Sequence, residues 1–110
     1  MYKFVSAGPF GGLNLNNTLQ TIYTVPAGNL LRVESFVVIN TGPSNDSVKI
    51  WLNNQNNTDL IMPQFSLGPY ARRVRRRQIW TFTAGDVVKG LNINNTTGIY
   101  VWLHGVLYAN

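Results

Sequence analysis

A chain of 110 residues makes one ordinary domain but not two, and at this size roughly 60–70% of the unfolded surface is buried, so no metal or disulfide is needed to hold the core. The absence of cysteine excludes thiol catalysis, disulfides and Cys-ligated zinc. Charge is scarce, at 12% of residues against about 25% in an average soluble domain, and the net charge of +5 is concentrated, since five of the nine basic residues are Arg72, Arg73, Arg75, Arg76 and Arg77.

Apolar residues recur at a period of two or in short runs, never at the helical period, and clusters of Gly, Pro, Asn and Asp separate them. In chain order this predicts strands over Tyr2–Ser6, Leu19–Val25, Leu30–Asn40, Val48–Asn53, Thr58–Met62, Arg73–Thr83, Val87–Ile93 and Gly98–Tyr108. The gaps carry turn chemistry, as in Pro26-Ala27-Gly28-Asn29, Gly42-Pro43-Ser44-Asn45, Gly68-Pro69 and Ala84-Gly85-Asp86. About eight short strands at this spacing predict a single all-β domain over residues 1–110, a sandwich or barrel rather than a βαβ fold. Residues 1–18, rich in Gly and Asn after Ser6, either fold onto the domain or form an arm that reaches a neighbour. The N-terminus lacks the apolar run of a signal peptide. No segment approaches the roughly 18 apolar residues of a membrane span, so no membrane partner is expected.

Two stretches echo one another. Thr24 to Val33 and Thr81 to Gly90 both run from a strand through an Ala-Gly-Asn/Asp turn into two apolar residues and one basic residue. Similar corners in the two halves suit a sandwich of two related β-motifs. The period of two also assigns faces. Val48, Ile50 and Leu52 point one way, with Lys49 and Trp51 the other. In the last strand Ile99, Val101, Leu103 and Leu107 share one face, and Tyr100, Trp102, His104, Val106 and Tyr108 the other. A strand apolar on both faces is central in its sheet or has its second face covered by a partner.

The Thr24-Val25-Pro26-Ala27-Gly28 corner, the long strand ending at Asn40, Ala84-Gly85-Asp86 and the final Val101-Trp102-Leu103-His104-Gly105 form a pattern from about Leu19 to Tyr108. It resembles the small jelly-roll or β-sandwich proteins of tailed bacteriophage particles, such as capsid cement (decoration) proteins and neck, tail or fibre accessory domains. The resemblance implies an antiparallel jelly-roll-like sandwich of about eight strands and a structural role in the virion. It also implies a homo-oligomer, often a trimer, attached to the major capsid or another virion protein. Its motifs are corners and strands, and the Arg72–Arg77 run lies outside them.

Catalytic equipment is poor. General acid–base chemistry needs titratable groups that converge. The four carboxylates Glu34, Asp46, Asp59 and Asp86 lie in separate segments, the three aspartates in or beside turns, and His104 has no identifiable triad partner. No enzyme activity, metal or cofactor is expected.

The arginine run is the main anomaly. In a strand Arg73, Arg75 and Arg77 share one face, with Val74 and Arg76 on the other. Clustered guanidiniums repel one another, and their forks match carboxylates or phosphates. Three readings stand: docking on an acidic protein surface, a solvated edge strand charged against aggregation, or nucleic-acid binding. The strand aromatics are the second feature. Tyr100, Trp102, His104 and Tyr108 are the candidate subunit interface. Trp51 and Trp80 are the alternative, a platform for host-surface glycan in a tail or fibre module.

Overall fold

The computed structural model describes residues 2–54, 60–76, 80–95 and 97–110. Nine strand segments follow in order: β1 (Lys3–Leu15), β2 (Gln20–Thr24), β3 (Asn29–Asn40), β4 (Asp46–Leu52), β5 (Leu60–Leu67), β6 (Arg72–Arg75), β7 (Trp80–Thr83), β8 (Val87–Asn92) and β9 (Ile99–Ala109). Every pairing is antiparallel. One sheet, sheet A, runs β1-β9-β3-β6, with β7 also on β3. The other, sheet B, runs β2-β8-β4-β5. The protein is an all-β sandwich.

The pairs are nested. β1 lies with β9, β2 with β8, β3 with β6 and β7, and β4 with β5, as one long antiparallel ribbon rolled into two layers. That is the jelly-roll order. The predicted Arg73–Thr83 strand is divided into β6 and β7, which share the edge of β3 away from β9. β3 advances three positions from Val33 to Phe36, while its partner runs the five positions from Arg75 to Trp80.

The inner faces of both sheets supply the core. Leu31, Val33, Phe36 and Val38 of β3, with Val101 and Leu103 of β9 beside them, join Val48 and Ile50 of β4 in one core cluster, all essentially solvent-free. Strict alternation of buried and part-exposed residues along β9 from Ile99 to Leu107 matches its place in the middle of sheet A. The echoing corners are neighbours. The Val25 amide donates to the Asp86 carbonyl and the Gly85 amide to the Val25 carbonyl, both at 2.9 Å. Gly28 and Gly85 take φ of 77° and 89°. Each corner crosses between sheets, one from β2 to β3 and the other from β7 to β8, so similar turn chemistry serves two antiparallel halves of one ribbon.

At the other end, the Asn-rich loops are held from inside the fold. Asn40, fully buried, donates to the carbonyls of Ser44 and Gly68 and accepts from the Gly42 amide and the Thr97 hydroxyl. Asn92, also fully buried, donates to the Thr97 carbonyl, and Asp46 accepts from the Ser47 and Asn94 amides. These side chains replace the strand partners that loop backbone lacks.

Two elements are longer than the sequence reading proposed. Residues 3–15 form β1, paired with β9 from Lys3↔Ala109 to Leu15↔Ile99. The Gly8-to-Gly12 stretch stays in the strand because an edge tolerates Pro9, and because a register shift between Phe10 and Leu13 absorbs the glycines. β5 continues to Leu67, beyond the expected end at Met62. Pro63 again sits in an edge strand, the position proline can occupy. Thr58 and Asp59 lie outside the described residues.

The two flanks of the sandwich differ. On one, β1 approaches β2. The Phe10 and Tyr23 rings stack at 5.4 Å, and Gly11, at φ 71°, runs so close to Ile22 that a Cβ would strike the Ile22 carbonyl. On the other flank β5 and β6 face each other across a cavity of about 450 Å³.

Candidate assembly interface

The pairing of β6 with β3 divides the arginines. Arg73 and Arg75 stand opposite Val38 and Phe36, both core residues, so they lean inward toward the gap between the sheets. Arg72 and Val74 stand opposite Ile39 and Val37 and belong to the outer face. The expected sharing of one face by Arg73 and Arg75, with Val74 on the other, follows this register. Arg77 lies outside the described residues. Arg76 lines cavities on both sides.

Inward, the Arg73 guanidinium lies 4.7 Å from the centre of the Phe65 ring, a cation–π contact that holds it against β5. The Arg75 Nε is buried and has no hydrogen-bond partner. Phe65 was missed by the sequence reading, because the strand carrying it was taken to end at Met62.

Outward, the arginines join the aromatic row of β9. Trp102 stands opposite Val37 and His104 opposite Ser35, where β3 bulges at Glu34. Arg72, Arg76, Glu34, Val37, Trp102 and His104 line a depression of about 460 Å³. Beyond Trp102 a second depression of about 350 Å³ lies over Pro9, Gly12 and Tyr100. The Tyr100 and Trp102 rings sit 5.7 Å apart at 53°, and the Tyr100 hydroxyl occupies the space a Cβ on Gly12 would need. Tyr100, Trp102 and His104 are therefore brought together. Tyr108 points the same way but lies six residues along the strand from Trp102, about 20 Å. Its neighbour there is Phe4, 65% exposed. The outer face of sheet A thus carries aromatics at both ends and arginines along one edge.

The alternative glycan platform is not assembled. Trp51 is on the outer face of sheet B and only 4% exposed, with the Lys49 ammonium 5.4 Å from its ring centre. Trp80 stands opposite the core residue Val33 on sheet A and packs edge-on against Phe36 at 4.9 Å. The two indoles belong to different sheets. Trp51 presents little open ring, with Lys49 beside it, a burial that single-strand periodicity does not reveal.

The carboxylates are dispersed. Asp46 and Asp86 hold turns, the latter accepting from the Thr83 amide at 2.9 Å and the Asn53 amide group at 3.0 Å, while Glu34 lies in the outer depression. Asp59 is outside the described residues. Among the described residues no three His, Cys, Asp or Glu side chains gather as metal ligands. Comparison of the chain with protein-family models and with curated proteins finds no match.

Proposed function

We propose that the protein is a non-enzymatic structural protein of a virus particle, of the capsid cement or tail-accessory kind, and that copies of it associate through the outer face of sheet A. One observation carries this reading. Arg72 and Arg76 of the arginine run and the aromatic row of the last strand, far apart in sequence, meet around Trp102 on a single sheet face. Aromatic side chains at the centre with arginine, glutamate and histidine beside them match the composition of protein–protein contacts, where Trp, Tyr and Arg supply most of the binding energy. The jelly-roll order also occurs in capsid domains, although the same fold hosts many functions. Repeated on a particle, many modest contacts act together. The partner is the acidic surface of the major capsid protein or another virion protein.

Light scattering on the purified chain across a salt series, with and without oligothymidylate, tests the reading. The expected result is a trimer or larger ring that persists at high salt and ignores the oligonucleotide. Replacing Tyr100 and Trp102 by Ala should reduce it to monomer with the fold intact. A monomer that binds the oligonucleotide, with a log–log salt slope of about −3 to −4 for five arginine contacts, would replace assembly with nucleic-acid binding.

A further inference from the structure

The inward pair, Arg73 and Arg75, belongs to a different surface from the outward one. The cavity between β5 and β6 combines three arginines, Arg73, Arg75 and Arg76, with Gln64 and the apolar side chains of Met62 and Phe65, and no carboxylate lines it among the described residues. Like charges gathered without a counter-charge raise the free energy of the free protein. The buried Arg75 Nε, a donor with no acceptor, adds to it. That donor makes no hydrogen bond that holds the planar head in place, so turning the head into the cavity breaks none at Nε. A carboxylate placed there accepts two parallel N–H groups and supplies the missing charge.

We propose that this cleft binds a carboxylate-bearing, extended segment of a partner protein, an acidic peptide with apolar residues between its charges. The partner's class rests on the assembly reading above, and the site itself rests on the cleft's chemistry. Two features favour peptide over nucleic acid. The one ring among the lining residues, Phe65, has the Arg73 guanidinium 4.7 Å from its centre, so one face of it is taken and a base finds no row of rings to stack on. The cleft is bounded by β5 and β6, which end their respective sheets among the described residues, and a sheet edge accepts an extended chain through its backbone. The exposed part of Phe65, backed by the core residue Met62, then receives the side chains between the carboxylates.

The test uses the full chain, ¹⁵N-labelled, with the arginine Nε–H signals followed by NMR during titration. Three probes are added separately: a peptide of alternating glutamate and valine, sodium phosphate, and oligothymidylate. The peptide should move the Arg75 Nε–H signal saturably and slow its exchange with water. Arg75→Lys, which keeps the charge but loses the fork, should weaken binding at least tenfold, as should Arg73→Ser. Arg72→Ser, on the outer face, should change it less than twofold. The proposal is overturned if the peptide leaves the signal unmoved. It is equally overturned if phosphate or oligothymidylate competes at the same concentration, or if Arg72→Ser weakens binding as much as Arg75→Lys. Loss of oligomer formation with an intact peptide response would sink the assembly reading and leave the cleft standing, so the two failures are distinguishable.

Discussion

The two flanks of the sandwich solve the same problem in opposite ways. Where β1 meets β2, a glycine lets the backbones approach and the Phe10–Tyr23 stack covers the seam. Where β5 meets β6, long charged side chains stand in the gap and a cavity remains. The first flank is arranged for stability, with apolar contact and, among the described residues, no buried unpartnered side-chain donor or acceptor. Among the described residues, the second keeps arginines with no carboxylate beside them and a buried unpartnered donor, both of which destabilise the free chain. Groups that weaken a fold and yet line a cavity are the expected mark of a binding surface, because a ligand can satisfy what the protein does not.

Three substitutions break or sharpen this contrast. The largest effect is expected at Gly11, where Gly11→Val places a branched side chain at positive φ and against the Ile22 carbonyl. Forcing β1 away from β2 should lower unfolding free energy by about 3 kcal/mol, measured by chemical denaturation. A loss below about 1 kcal/mol would mean that this flank is not held by close backbone approach. On the other flank the sign reverses. Arg75→Leu removes an unpaired donor and one of three crowded charges, and should raise stability by about 1 kcal/mol while abolishing the peptide response. A destabilised Arg75→Leu would show that the arginine serves the fold.

The smallest effect concerns pH. Burial pushes the Tyr23 phenol above its ordinary pKa, since the phenolate is poorly solvated beside Phe10. Because the folded pKa is the higher one, the folded chain holds the proton more tightly. Its contribution to stability is therefore complete below the ordinary phenol value, near 10, and is lost as pH rises through the folded value. Melting temperatures of the wild type and Tyr23→Phe should diverge only in that alkaline window, with the variant declining less. Parallel curves would show that Tyr23 ionises as freely in the fold as outside it.

Much of the architecture was legible in the chain. The strand-and-turn rhythm, the paired Ala-Gly corners and the outward aromatic row of β9 all depend on local geometry, which the order of residues carries without any tertiary contact. What escaped has one cause. The Gly8–Gly12 stretch and the continuation of β5 past Pro63 look like breaks when read singly, and become strands only because edge positions and bulges tolerate them. Trp51 falls on the outward row of its strand by the period of two, yet is only 4% exposed in the fold.

The candidate site divides along the same line. The sequence alone determined that five arginines fall between positions 72 and 77 and that alternate residues of a strand point to opposite faces, since a strand's period of two is a property of its own backbone. Only the tertiary structure decided what each row meets: Phe65 of β5 on the inside, Trp102 and His104 of β9 with Glu34 of β3 on the outside. Those neighbours come from strands distant in the chain. Which strands adjoin is set by the burial of the whole core rather than by any local run of residues.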